Sequence, residues 1–178
     1  MSGLSLILDA SCIINFYASG FFEDILSSIK MDWKIAIYVY KNEVLSIFNH
    51  EKNEKEKIIL APYVTKNLIE IVSPTDDEID EMVYFVSQNL DDGEAYTLSI
   101  GKNRNWYIAT DDKAALNQLT RINFTKILTT PEIIKKWTEN DNVSDSQIKL
   151  CLQNIQINGK FRPPKNSLLY TWWNGKVN

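Results

Sequence analysis

Histidine and cysteine are scarce in this chain, and the chemistry that depends on them is correspondingly excluded. The 178 residues contain one histidine, His50, and two cysteines, Cys12 and Cys151. A histidine-based zinc site or a Ser-His-Asp triad needs an imidazole among suitable partners, and His50 has none nearby in the sequence; it reads as a surface or helix-end residue. The two cysteines are far apart and neither belongs to a CxxC pair, so neither a disulfide nor a zinc site is expected. Both read as small buried hydrophobes. No apolar run approaches the roughly 18 to 20 residues needed to cross a bilayer, so no membrane association is expected. The N-terminus MSGLSLILDASCIINF has no basic segment and no small-residue cleavage site, and Asp9 interrupts its apolar run. It does not read as a secretory signal, and the expected location is the cytoplasm. Basic charge is also short: 19 Lys and Arg against 23 Asp and Glu leave a formal net charge of −4. That balance argues against sequence-independent binding of nucleic acid over the whole surface, which requires basic faces. The exception is local, since residues 159–178 hold Lys160, Arg162, Lys165 and Lys176 and no acidic side chain.

What is present is the composition of an ordinary globular domain, 44% hydrophobic and 24% charged with six Gly and five Pro, at a length that suits one core. LSLIL at 4–8 is an all-apolar run closed by Asp9, as expected of a strand buried on both faces. A helix follows from Ala10 to a stop at Gly20, then a short amphipathic piece, FEDILSSI. KIAIYVY at 34–40 is β-branched and aromatic and predicts a second strand. KNEVLSIF predicts a helix on the spacing of Val44, Leu45 and Phe48. The mixed-charge run EKNEKEK at 51–57 reads as a solvated loop or helix end. A strand is expected near 68–72. A helix then starts at Thr75 with Glu78 three residues on, the pattern of a capping box. A further helix spans about Asp92 to Asn103, then a strand WYIAT and a helix from near Asp111. A strand KILTT, a helix from Pro131 at its first position and a helix near 145–155 complete the order. Strands alternating with helices imply an α/β domain with a mainly parallel sheet, whose sites form beyond the carboxyl ends of the strands.

Carboxylates gather at those ends. Asp9 closes the first strand, Asp111 and Asp112 follow WYIAT, and Glu43 and Glu94 are each expected in the first turn of a helix. Asp91 and Asp92 read as shaping the start of the Glu94 helix, and Asp111 or Asp112 could cap the next one. Brought together, such acids repel one another unless protonated or bridged by a cation, and an oxygen-only set favours Mg²⁺ or Mn²⁺ over zinc.

These stretches resemble the motifs of the PIN-domain family. LILDASCIINFYASG resembles its opening, an apolar strand ending in Asp, a small residue and a hydroxyl residue before an apolar helix. YVYKNEVLSIF resembles its second motif, which carries a glutamate. LDDGEAYTLSIGKNRNWYIATDDKAALN resembles the third and fourth motifs, in a branch that has L-x-x-G-E-A where VapC-like toxins more often have Asp. Order and spacing match over roughly residues 4 to 130.

The resemblance implies a three-layer α/β/α fold with a mainly parallel central sheet. It implies a metal-dependent ribonuclease using Mg²⁺ or Mn²⁺, with Asp9, Glu43, Glu94 and Asp112 as the catalytic acids. Asp112 has the family's Thr-x-Asp spacing from Thr110, Asp111 fills the x position and could substitute as a metal ligand, and Ser11 and Thr110 are supporting hydroxyls. Lys102, Arg104 and Lys113 are candidates for contact with flanking RNA phosphates. RNA is the expected substrate, with an antitoxin-like protein or a second copy of the chain as further partners, as in a toxin and antitoxin pair. Residues 1–140 form the PIN-like domain, and 141–178 a C-terminal helix and basic, aromatic tail packed on it. A competing reading keeps the fold without catalysis, as an interaction module using the tail FRPPKNSLLYTWW. A phosphoacceptor receiver domain would need an acidic pair at the first strand, and LILDAS supplies one acid.

Overall fold

In the computed structural model, residues 3–43 and 45–177 are described. Met1, Ser2, Val44 and Asn178 lie outside them, Val44 being one of the residues on which the helical reading of KNEVLSIF rested. The chain opens with β1 (Leu4–Leu8), α1 (Ala10–Ser19), α2 (Phe22–Ser28), β2 (Met31–Ala36) and α3 (Ile37–Asn42). Next come β3 (Ser46–Asn49), β4 (Glu54–Lys57), α4 (Ala61–Thr65), β5 (Glu70–Val72) and α5 (Asp76–Ser87). After them follow α6 (Asp92–Asn103), β6 (Tyr107–Ala109), α7 (Lys113–Arg121) and β7 (Ile127–Leu128). The chain finishes with α8 (Thr130–Asn140), α9 (Asp145–Asn158) and α10 (Tyr170–Val177). None of the helices among the described residues is long and apolar enough to cross a membrane.

The chain divides into two compact units. The first comprises Met1–Ile13, Lys30–Glu43 and Ile59–Thr129. Its centre is a five-stranded sheet in the order β5-β2-β1-β6-β7, with every neighbouring pair parallel. This mainly parallel sheet with flanking helices fits the PIN-like α/β/α class expected from the sequence. Leu6, Ile7 and Leu8 of β1 are wholly buried, as a central parallel strand requires. Helix α6 lies so close to the sheet that a Cβ on Gly101 would sit 2.4 Å from Ile108 Cγ1 and 3.0 Å from Ile7 Cγ2, so only glycine fits there. The second unit comprises Ile14–Ile29, Val44–Ile58 and Thr130–Asn178. It holds the antiparallel ribbon β3–β4 and helices α8, α9 and α10. Within it Trp173 is fully buried and meets Phe161 edge to face at 5.9 Å.

The structure corrects three local expectations. The strand foreseen over KIAIYVY ends at Ala36, and Ile37–Asn42 is helix α3. Pairing explains this: the last partner of β2 on β1 is Leu8 opposite Ile35, and the last on β5 is Val72 opposite Ala36. Beyond them the backbone has no ladder to join and satisfies its polar groups by coiling. The segment expected to be the Glu43 helix turns extended instead, with Glu43 as the C-cap of α3 and Ser46–Asn49 as β3. The charged run 51–57, expected as loop or helix end, supplies β4. A short ribbon can carry such a sequence because its charged side chains face water and discourage further edge pairing. Glu56 is tied down by the Tyr17 hydroxyl at 3.0 Å and Asn49 Nδ2 at 2.9 Å.

Helix ends follow a rule that the glycine count obscures. Gly20 stops α1 at φ 81°, as expected, but α4, α5, α6, α7 and α8 are followed by Asn67, Asn89, Asn105, Asn123 and Asn142, all at positive φ. After α6, the Asn105 N–H donates to the Lys102 carbonyl at 3.1 Å and the Trp106 N–H to the Gly101 carbonyl at 2.9 Å. That is the Schellman pairing, with asparagine in the left-handed position usually given to glycine.

Candidate active site

The sheet order decides where a site can form. From β1 the chain moves to one side for β2 and β5, then to the other for β6 and β7. The reversal opens a crevice beyond the carboxyl ends of β1 and β6. Asp9 directly follows β1, and Thr110, Asp111 and Asp112 directly follow β6.

Asp9 is 2% exposed. Its Oδ2 accepts hydrogen bonds from Ser11 Oγ at 2.7 Å and Thr110 Oγ1 at 2.8 Å. The same two hydroxyls accept from the backbone beyond β6, Ser11 from the Asp111 N–H and Thr110 from the Asp112 N–H, each at 3.1 Å. Both supporting hydroxyls therefore tie the first acid to the loop that bears the last two. Burial pushes the Asp9 carboxyl above its ordinary range, outweighing these hydrogen bonds, and the charge of Asp91 adds to the rise.

Glu43 reaches this crevice from the end of α3. Its carboxylate occupies the place where a side chain on the second residue of α6 would begin: a Cβ on Gly93 would lie 1.5 Å from Glu43 Oε1 and 2.7 Å from its Cδ. Burial first, then the charges of Asp9 and Asp91, push Glu43 up to about 7. Glu94, one residue along α6, forms a capping box with Asp91. The Glu94 N–H donates to Asp91 Oδ1 at 2.8 Å, and the Asp91 N–H donates to Glu94 Oε2 at 3.2 Å. Burial, then the charges of Asp91 and Asp112, push Glu94 up to about 8, against the pull of that N–H.

Asp112 caps α7, its Oδ1 accepting from Ala114 N at 2.6 Å and Ala115 N at 2.9 Å. Asp111 Oδ2 accepts from the buried Cys12 thiol at 3.5 Å. The structure thus brings Asp9, Glu43, Glu94 and Asp112 into one electrostatic field, and Asp111 borders it. Two residues outside the sequence candidates share the site. The charge of Asp91 acts on Asp9, Glu43 and Glu94 alike, and Gly93 makes room for Glu43. Gly93 was visible in the motif GEA, but its role is not, because the neighbour it accommodates lies 50 positions away in the sequence.

The candidate RNA-contact cations are differently placed. Lys102 is bonded to Glu81. Arg104 forms a two-pronged pair with Glu78 at 2.7 and 2.8 Å, donates to the Ser73 carbonyl at 2.7 Å and lies over the Trp106 ring at 4.9 Å. Lys113 is exposed at the first position of α7.

The donor set suits a hard divalent ion. It consists of carboxylates and hydroxyls, and Asp9, Glu43 and Glu94 are held together with no ion pair among the described residues. As the side chains stand, no three His, Cys, Asp or Glu among the described residues converge to ligating distance. Glu94 is turned towards the Asp91 N–H. Asp9, Glu43 and Glu94 are the residues that would hold such an ion, with Asp112 close enough for its charge to act on Glu94.

A parallel sheet with carboxylates gathered at its switch point places the chain among the α/β proteins whose sites lie beyond the strand ends. Residues 5–168 match a family model described as a PIN domain, and the chain belongs to that family. No curated protein and no solved structure gives a significant match.

Proposed function

We propose that this chain is a Mg²⁺- or Mn²⁺-dependent endoribonuclease. The observation that carries this reading is the seating of the Glu43 carboxylate against Gly93, beside Asp91 and within the field of buried Asp9. Forcing carboxylates together without a countercharge is costly, and a divalent cation is the simplest species that offsets it. When bound, such an ion lowers the pKa of water enough to supply a nucleophile near neutral pH and neutralises charge on the phosphodiester. Asp9, fixed by Ser11 and Thr110, contributes a rigid oxygen ligand. Glu43 and Glu94 complete the negative set, and their raised affinity for protons makes ion binding compete with protonation.

An unrestrained ribonuclease endangers the cell that makes it, so an antitoxin-like inhibitory partner belongs to this reading. No observation favours the non-catalytic module: the tail's Trp173 is buried in its own unit, and Trp172 lies under Lys135 at 5.7 Å. The deciding experiment incubates the purified chain with total cellular RNA and Mn²⁺, with Asp9→Asn as control. Cleavage by the parent and none by the folded variant is expected; equal cleavage by both would exclude the proposed site.

A further inference from the structure

A pair of tyrosines stands at the rim of the acidic crevice. Tyr38, the second residue of α3, and Tyr96, the fifth of α6, stack with ring centroids 4.9 Å apart and planes 16° from parallel. Both are partly exposed. The Tyr38 hydroxyl donates to Asp92 Oδ2 at 2.9 Å, which fixes the ring. Asp92 is followed in α6 by Gly93, against which the Glu43 carboxylate sits, so this bond anchors the ring beside the candidate catalytic acid.

We propose that the Tyr38–Tyr96 stack is a platform for a nucleobase of single-stranded RNA, seating the strand beside Asp9 and Glu43. The proposal rests on the ribonuclease reading and assigns that site a base-binding contact. The charge balance of the site supports it. The chain is acidic overall, and the two cations ending α6, Lys102 and Arg104, are engaged by Glu81 and Glu78. Lys113 stands exposed beside Asp112 but is outnumbered by the carboxylates, so an uncharged contact adds affinity that attraction to phosphate alone does not supply. Stacking on an aromatic face does so for any base, provided the base is free of its own neighbours. A duplex keeps its bases stacked internally and offers no such face.

The test is binding, which does not depend on turnover. Full-length Asp9→Asn protein, without divalent ions, is titrated into a fluorescently labelled single-stranded oligoribonucleotide and into its duplex, in the Tyr96, Tyr96→Phe and Tyr96→Leu backgrounds. Leucine keeps apolar packing against Tyr38 but removes the flat ring, and near-ultraviolet circular dichroism checks the fold. Tyr96→Leu is expected to weaken single-strand binding about tenfold and Tyr96→Phe to retain it, with the duplex bound more weakly throughout. Raising salt from about 50 to 200 mM should cost less than about tenfold, against roughly a thousandfold or more for a binder that relies on many phosphate contacts. The proposal is overturned by any of four results: no single-strand binding, no preference over duplex, equal loss in both Tyr96 variants, or no loss in Tyr96→Leu. If binding behaves as expected while the parent chain cleaves no RNA with Mn²⁺, the platform stands and the ribonuclease reading fails.

Discussion

Gly93 works by what it lacks, since the Glu43 carboxylate fills the space its side chain would take. Gly93→Ala is therefore expected to expel Glu43 and abolish saturable Mn²⁺ binding, measured by calorimetry. Shortening the displaced group should relieve the clash, so Gly93→Ala with Glu43→Asp should bind Mn²⁺ better than Gly93→Ala alone; equal binding would show that the two residues do not compete for one space. A second outcome follows from the raised proton affinities. Glu43 moves from an ordinary 4.5 to about 7 and Glu94 to about 8 on folding, so each contributes stability that is complete below about 4.5. That stability is lost as pH rises through the folded values. Without divalent ions, thermal stability should fall between about pH 4.5 and 8, and Glu43→Gln should gain about 1 kcal/mol at pH 8, reduced from the full shift by solvent screening at a half-buried site. A variant no more stable than the parent at pH 8 would mean that Glu43 is not crowded.

Helices here are specified by their ends as much as by their faces. The Thr75–Glu78 and Asp91–Glu94 capping boxes both stand where the spacing of a hydroxyl or acid three residues before a glutamate places them. Glu78 does more than cap. Burial opposes its charge, and the hydrogen bonds and charge of Arg104, with the Thr75 N–H, overcome that and hold its carboxyl below the ordinary range. Arg104→Met should cost about 3 kcal/mol near pH 7 in urea unfolding, because a carboxylate that is 2% exposed loses its partner. A depressed pKa contributes stability above the unfolded value and loses it as pH falls, so that penalty should shrink in acid as Glu78 becomes protonated. At the other end of α6, Asn105 sits at φ 54°. Asn105→Ala should cost about 1 kcal/mol and Asn105→Gly almost nothing, since only the former puts an unassisted Cβ in the left-handed region. Equal effects would show that the turn does not depend on backbone conformation.

For the molecule as a whole, the acidic crevice links fold stability to metal. An ion that binds only the folded state raises stability with its concentration. Mn²⁺ should raise the melting temperature of the parent progressively and leave that of Asp9→Asn unchanged; parallel shifts in both would place the ion elsewhere. The family match extends to residue 168, well beyond the 4 to 130 stretch over which the motifs could be followed in the sequence. The reason is that the later segments contribute packing, as at buried Trp137 and Leu152, and packing residues carry no motif.

Taken alone, the sequence determined the parts whose causes are local. The all-apolar β1, the capping box of α5, the acidic start of α6, the stop at Gly20 and the acids after β1 and β6 each follow from neighbours within a few positions. The tertiary structure decided what depends on partners far along the chain. Strand β2 yields to α3 where β1 and β5 stop offering hydrogen bonds, although Ile37, Tyr38, Val39 and Tyr40 favour a strand by type. The charged residues 54–57 become a strand because β3 lies alongside to pair with them. Arg104 turns to Glu78, and Glu43 settles against Gly93, because folding brings together groups 26 and 50 positions apart. Which acids the chain carries was legible from the start; which of them share a field was settled by the order of the strands.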